Sequence, residues 1–185
     1  MKITFLSIFT LVTSIWAFAW GLIGPFYVVY AQQIGGTIEN LGIAFGILVL
    51  VESLTSYIFG KYSDKVGRRP FLMIVGYSNT IILFLYTIIT TVAQLYVIQI
   101  FLGIVDSMEK TISTAFLGDI TKRNKRGLQI GKYNTVVGIF GGISLMLGGL
   151  LINRYGFQII FYIGSFFVFL ATSMLFFINE KKSRI

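Results

Sequence analysis

Long apolar runs, separated by short charged segments, constrain this chain more than any other feature of its sequence. No charged residue occurs between Lys2 and Glu39, and residues 70–105 contain none at all. A helix needs about 20 apolar residues to cross a bilayer. Only 12% of the residues are charged, against roughly 25% in a typical soluble domain. The runs therefore predict an all-α, polytopic membrane bundle that lies in a lipid bilayer.

The apolar runs divide into six predicted transmembrane helices, which form a single domain over residues 1–185. Residues 70–105 would span about 54 Å as one helix, too long for a hydrocarbon core of about 30 Å. We therefore expect a break at Thr90 and Thr91, and a kink in the first span at Gly24 and Pro25. The predicted spans cover about residues 5–30, 41–62, 71–89, 93–117, 132–152 and 157–178.

The basic residues are concentrated on one side of these six spans. This side holds Lys2, Lys61, Lys65, Arg68, Arg69, Lys122, Arg123, Lys125, Arg126, Lys181, Lys182 and Arg184. The loops on the other side hold only Arg154. By the positive-inside rule, both termini are predicted to lie in the cytoplasm. We expect the membrane to be the plasma (inner) membrane. The net charge of +8 is spread over short clusters, which argues against a nucleic-acid partner.

The most densely charged connection is the segment 60–70, which has the form G-x-x-x-D-x-x-G-R-R. Gly60 permits close approach of a neighbouring helix, and Gly67 suits a turn that requires positive φ. Asp64 can pair with an arginine or accept hydrogen bonds from a helix N-terminus. Pro70 fits the first turn of the helix that follows.

This segment resembles the signature loop between the second and third helices of the major facilitator superfamily (MFS). In that family the loop packs the cytoplasmic helix ends and helps to gate alternating access. The spacing of Gly60, Asp64 and Gly67 recurs as Gly149, Asn153 and Gly156. Three spans separate the two copies, as expected for a 3+3 inverted repeat. The resemblance covers the whole chain, as the N-terminal six-helix half of a twelve-helix transporter.

The resemblance implies a gating network of Asp64, Arg68 and Asp119, with Arg69 and Arg126 as further members. It also implies secondary active transport of a small solute by alternating access, for which we expect proton coupling. Six helices cannot enclose a two-bundle pathway, so the expected partner is a second six-helix half or a second copy of the chain. The fifth span lacks the proline of drug-exporting members, which argues against a drug/proton antiporter.

Four ionisable residues lie inside predicted spans: Glu52, Asp106, Glu109 and Lys110. Such residues are costly in a bilayer and usually face a partner or a water-filled cavity. The i, i+4 spacing allows Asp106 and Lys110 to pair. The residues on the fourth span either line a substrate or proton path, or form a structural Asp106–Lys110 pair with Glu109 toward the headgroups. For Glu52, a proton site and a packing contact both stay open.

Other classes of function find less support in the sequence. The chain contains no Cys and no His, so it offers neither a Cys/His metal site nor a thiol or Ser-His-Asp nucleophile. It also has no phosphate-binding P-loop. We predict no enzyme activity, no metal and no cofactor. A non-transporting scaffold or sensor with the same fold is the alternative. The aromatic residues of the first span, including Trp16 and Trp20, are expected to face lipid or the interface.

Overall fold

The computed structural model describes residues 5–177, and this part of the chain consists of helices and short connections without strands. The α-helices are α1 (Phe5–Ile23), α2 (Tyr27–Gln33), α3 (Ile38–Val66), α4 (Arg69–Leu85), α5 (Val92–Ile120), α6 (Arg126–Tyr155) and α7 (Phe157–Ser173). Three 3₁₀ turns, Gly24–Phe26, Arg123–Lys125 and Met174–Phe177, complete the order. Lys2, the end of the predicted sixth span and the basic tail from Lys181 lie outside the described residues.

The seven helices make six crossings of the bundle, because α1 and α2 together form the first. The 3₁₀ turn Gly24–Phe26 separates them, where Pro25 removes a backbone donor. Among residues 5–177, five segments are long and apolar enough to span a membrane. The remaining crossing is α4, with 17 residues, or about 26 Å of helix.

Helices α3 and α5 begin with the same N-terminal capping arrangement. Each of them follows a loop that contains no basic residue. Thr37 accepts a hydrogen bond from the backbone N–H of Asn40, and the Asn40 side chain accepts one from the N–H of Thr37. Thr91 and Gln94 form the equivalent capping box at the start of α5. Each box satisfies two backbone donors that the first helical turn would leave unpaired. The chain therefore breaks before α5 where the sequence predicts it.

The repeated glycine pattern of the sequence has a direct structural counterpart. Gly67 ends α3 with φ +103°, and its N–H donates to the carbonyl of Ser63. Gly156 ends α6 with φ +79°, and its N–H donates to the carbonyl of Ile152. These φ values strain any side chain larger than that of glycine. Both glycines lead directly into the next helix, so the second and third helices of each repeat are joined by the same turn.

The helix pairings show the inverted repeat at the level of the whole bundle. The most extensive contacts join α3 with α5 and α1 with α6, followed by α4 with α7, α1 with α7 and α4 with α5. Exchanging α1 with α5, α3 with α6 and α4 with α7 converts this set of pairs into itself. The six crossings therefore form the 3+3 inverted arrangement that the sequence predicts.

Two of these pairings depend on glycines at the crossing points. A Cβ atom at Gly103 of α5 would lie 2.7 Å from the carbonyl oxygen of Leu48 in α3. At Gly148 of α6, a Cβ atom would collide with the backbone of Leu22 in α1. Small residues allow backbones to approach closely, which is how membrane helices gain packing energy without a hydrophobic driving force.

The described helices differ strongly in how much of their surface is buried. In α3 and α6, only 11% of the most apolar 18-residue window is buried, against 44% in α5 and α7. At the end of the bundle opposite the basic loops, Tyr27, Tyr30, Tyr86, Phe157 and Phe161 form a contiguous aromatic cluster. The bundle is thus closed by aromatic packing at that end and leaves the sides of α3 and α6 uncovered.

Candidate functional site

A cleft of about 460 Å³ opens between α1, α5 and α6. Helices α1 and α5 make few direct contacts with each other, and the cleft occupies the space that this leaves. Its walls are Thr13, Trp16, Ala17, Trp20, Leu102, Asp106, Glu109, Lys110, Ser113, Thr114, Tyr133 and Val137. All three predicted ionisable residues of α5 therefore line one cavity.

Lys110 forms its ion pair with a different residue from the one that the sequence suggests. Its Nζ lies 2.8 Å from both carboxylate oxygens of Glu52 on α3. The structure records no ion pair between Asp106 and Lys110 along α5, because the lysine side chain crosses to the neighbouring helix. The Lys110 side chain is 64% exposed and that of Glu52 is 19% exposed. Glu52 thus contacts Lys110 across the α3–α5 interface.

The two other carboxylates of the site are not neutralised in this way. Glu109 Oε2 accepts a hydrogen bond of 3.0 Å from the amide of Asn79 on α4. Glu109 therefore points into the bundle, and its predicted orientation toward the headgroups is wrong. Asp106 has no hydrogen bond or ion pair to any residue in the range 5–177. The cleft consequently contains two carboxyl groups that form no ion pair within residues 5–177.

The aromatic wall of the cleft is a feature that the sequence interpretation missed. Trp16 and Trp20 are the two tryptophans of the chain, and both line the cleft. Trp16 is only 1% exposed. It therefore faces neither lipid nor the interface, and the predicted orientation is wrong. Within residues 5–177, its indole N–H and the hydroxyl of Ser113, another wall residue, have no hydrogen-bond partner. Trp16 and Trp20 are four residues apart, so they lie on the same face of α1. This spacing could have identified the aromatic wall from the sequence.

At the basic end of the bundle, Arg68 joins the ends of three helices. Its guanidinium lies 2.7 Å from Asp64 of α3 and 3.2 Å from Asp119 of α5, and it also donates to Ser63. Burial lowers the pKa of Arg68, but hydrogen bonds and charge from Asp119 and Asp64 outweigh it, so the net pKa is raised. The structure thus brings the three predicted network residues into contact.

The two further arginines of the predicted network bind backbone carbonyls. Arg69 donates to the carbonyls of Leu175 and Phe176, beyond the end of α7. Arg126 donates to the carbonyl of Gly118 and to the hydroxyl of Thr121. Both arginines satisfy acceptors that helix ends leave unpaired. They therefore tie helix ends together around the carboxylate pair.

The two glycines of the segment 60–70 have different roles. Gly67 occupies the turn described above, where its positive φ is required. A Cβ atom at Gly60 would lie 3.5 Å from the methyl group of Thr111 on α5, an ordinary packing distance. Gly60 therefore lies at the α3–α5 contact, but this contact leaves room for an alanine.

Replacing Arg68 with alanine should loosen the basic end of the bundle. The variant leaves Asp64 and Asp119 without their shared cation, so the ends of α3 and α5 should separate. Both carboxylates are mostly exposed, so we expect a stability loss of no more than about 1 kcal/mol. The chain has no native Cys, so spin labels on cysteines at positions 65 and 122 can report the separation.

The matched control for Arg68→Ala is Arg154→Ala, on the loop at the opposite end. We expect a longer and broader distance distribution in the Arg68 variant and an unchanged one in the Arg154 variant. An unchanged distribution in the Arg68 variant would show that this arginine does not hold α3 and α5 together.

The apolar crossings and the polar cleft define an integral membrane protein of the helical transporter class. The sequence model of the Major Facilitator Superfamily matches residues 9–185. The chain belongs to the Major Facilitator Superfamily. The signature segment, the Arg68 network and the inverted repeat are the features of the structure that correspond to the resemblance seen in the sequence.

Relatives of two lengths resemble the chain. It is 30% identical over 158 residues to the "Uncharacterized MFS-type transporter YitZ" of Bacillus subtilis, covering 85% of this chain and 96% of that protein. It is 26% identical over 151 residues to MJ1560 of Methanocaldococcus jannaschii, another uncharacterized MFS-type transporter. It is also 29% identical over 174 residues to the Multidrug resistance protein MdtG of Escherichia coli. These matches cover 82% and 88% of this chain, but only 39% and 41% of the two longer relatives.

Proposed function

We propose that this chain is one six-helix unit of a secondary active transporter that exchanges a small organic cation for protons. The observation that carries this proposal is the cleft, in which Asp106 and Glu109 form no ion pair among the described residues. The nearest ammonium, on Lys110, is held by Glu52. With both carboxyls ionised, the cleft carries an excess of negative charge.

The walls of the cleft favour a cation that is also apolar and aromatic or alkylated. Trp16, Trp20 and Tyr133 line the same cavity as the carboxylates. An aromatic face attracts a cation by roughly 0.5–2 kcal/mol, most strongly where water is excluded. Carboxylates supply the charge complement and aromatic rings supply the apolar contact. The relative MdtG is named a multidrug resistance protein, which favours a small organic solute, although the fifth span of this chain lacks the proline of drug-exporting members.

Proton coupling follows from competition for the same carboxyl groups. A carboxylate that is protonated no longer attracts a cation, and a carboxylate that binds a cation is a poor proton acceptor. If one side of the membrane loads the site with cation and the other with protons, the two fluxes are linked. Asp106 and Glu109 are the residues to which we assign this exchange, and Lys110–Glu52 fixes the neighbouring charge.

A complete pathway requires a second six-helix unit against this face. The Lys110 side chain is 64% exposed at the middle of a membrane helix, where contact with lipid would be costly. The sides of α3 and α6 are also uncovered. A second unit, either a different half or a second copy, would enclose the cleft and its water. The two units would then rock about the site to give alternating access.

The direction of the bundle in the membrane follows from its basic end. Arg68, Arg69, Lys122, Arg123, Lys125 and Arg126 all lie at the end that carries the Arg68 network. We therefore place this end in the cytoplasm, with both termini, and assign the network to gating. A non-transporting scaffold or sensor would not require an unmatched pair of carboxylates inside the bundle.

Binding of tetraphenylphosphonium to the purified chain in nanodiscs tests this proposal without requiring transport. Both tryptophans of the protein line the cleft, so tryptophan fluorescence reports on the site. We expect saturable quenching by tetraphenylphosphonium and none by tetraphenylborate, which has the same shape and the opposite charge. Equal responses to both ions, or no response to either, would contradict the proposed cation site.

A further inference from the structure

Asn79 of α4 is a buried polar residue whose side chain makes its one hydrogen bond among the described residues to the carboxyl group of Glu109. Its side chain is completely buried, and its amide Nδ2 donates to Glu109 Oε2 across 3.0 Å. The other polar atom of the amide, Oδ1, has no hydrogen-bond partner in the part of the chain that the structure describes. The contact joins α4 to α5 directly behind the cleft.

The unpaired amide oxygen of Asn79 makes the fold less stable. The hydrogen bond from the same amide to Glu109 gives a reason for keeping a polar residue at this position. Leaving a buried amide oxygen unpaired costs about 1–3 kcal/mol, and apolar residues of α4 on either side, Val75 and Ile82, show that the local environment is hydrophobic. Within residues 5–177, the one hydrogen bond of the Asn79 side chain is the one to Glu109. An apolar residue at position 79 would pack without this cost, but it would leave Glu109 Oε2 without its donor.

We infer that Asn79 is the positioning residue of Glu109: it holds Oε2 and leaves Oε1 as the oxygen that takes up and releases the proton at the cleft. This inference rests on the proposed role of Glu109 in proton exchange. Oε1 has no hydrogen bond to any residue in the range 5–177, and Glu109 is part of the cleft wall. The two oxygens of one carboxyl group therefore have different tasks.

The same hydrogen bond can persist in both states of the carboxyl group. When Glu109 is ionised, the amide N–H donates to a charged oxygen, which strengthens the bond. When a proton binds to Oε1, Oε2 becomes the carbonyl oxygen and accepts the same N–H. On release, the Oε1–H bond breaks and the proton leaves toward the cleft. The amide N–H does not give up its own proton, so Asn79 orients the group without joining a relay.

The charged and titratable neighbours of Glu109 come from three helices. They are Asp106 and Lys110 on α5, Glu52 on α3, which holds Lys110, and Tyr133 on α6. Asn79 is the contribution of α4, and it is uncharged. The amide therefore fixes the position of the carboxyl group without changing the net charge of the cleft.

Infrared difference spectroscopy between acidic and alkaline pH tests this inference on the chain reconstituted in lipid. The C=O stretch of protonated Glu109 is assigned as the band that disappears in Glu109→Gln. We expect Asn79→Leu to shift this band to higher wavenumber, because a carbonyl that loses a donor has a stiffer C=O bond. The matched control is Gln99→Leu, which removes another buried amide, one that bonds to Tyr27 rather than to a carboxyl group.

The possible results separate the inference from the proposed function. A Glu109 band that stays in place in Asn79→Leu would overturn the positioning role and leave Glu109 as a proton site. Absence of a Glu109 band at every pH would overturn both, whereas tetraphenylphosphonium binding could still support the cation site. Asn79→Ser provides a second variant if the leucine variant does not fold. Its short hydroxyl side chain should give a shift in the same direction.

Discussion

Replacing Asp106 with asparagine and Glu109 with glutamine in one protein is expected to abolish binding of tetraphenylphosphonium to the cleft. The two substitutions remove the unmatched negative charge but keep the size of the side chains, so the aromatic walls stay in place. We expect the affinity to fall by at least tenfold, which corresponds to about 1.4 kcal/mol. Tryptophan fluorescence in nanodiscs measures the loss, and each single substitution should show a smaller part of it.

Glu39→Gln is the matched control, because Glu39 is exposed at the start of α3 and lies outside the cleft. It removes one negative charge from the chain, as each single substitution in the cleft does, and should leave binding unchanged. If the control weakens binding as much as the double variant, the net charge of the protein attracts the cation. If neither variant weakens it, the carboxylates of the cleft are not the site.

Gly103→Leu is expected to cause a large loss of stability of the bundle. Any side chain at this position meets the carbonyl of Leu48, with a Cβ–oxygen distance of 2.7 Å, so α5 must move away from α3. Overpacking costs about 1–3 kcal/mol in well-packed cores, and a collision with backbone should reach the upper end of that range or beyond. The same shift would separate the helices that carry Lys110 and Glu52.

Gly142→Leu provides the control for this prediction, because a Cβ atom at Gly142 meets nothing within 4 Å. Thermal unfolding in detergent should show a clearly lower transition for Gly103→Leu and a nearly unchanged one for Gly142→Leu. Equal transitions for the two variants would mean that the close α3–α5 crossing does not limit stability.

Much of the fold could be predicted because each signal is local in the sequence. The lengths of the apolar runs indicate the crossings, and Thr90-Thr91 marks the break that Thr91 caps. Gly67 is predicted to adopt a positive φ, and does so. The repeated glycine spacing identifies the inverted repeat, since Gly156 ends α6 with the same turn. These features depend on neighbouring residues, so the sequence contains them directly.

The details of the site could not be predicted because they depend on which helices meet. The i, i+4 spacing suggested that Lys110 pairs with Asp106, but the long lysine side chain reaches Glu52 on α3. Asn79 is one polar residue within an apolar run of the sequence, and only the structure shows that it lies against Glu109. Trp16 was expected at the surface of the bundle, whereas α6 packs over α1 and buries it. Such contacts follow from helix rotation and tilt.

The most direct test of the proposed exchange is the number of protons released when the purified chain binds tetraphenylphosphonium. A pH indicator in weakly buffered solution measures this release over a series of starting pH values. We predict that protons are released with the same saturation curve as the tryptophan quenching, and that the double variant at Asp106 and Glu109 releases none. Saturable binding without proton release at any pH would contradict the exchange of cation for protons at this cleft.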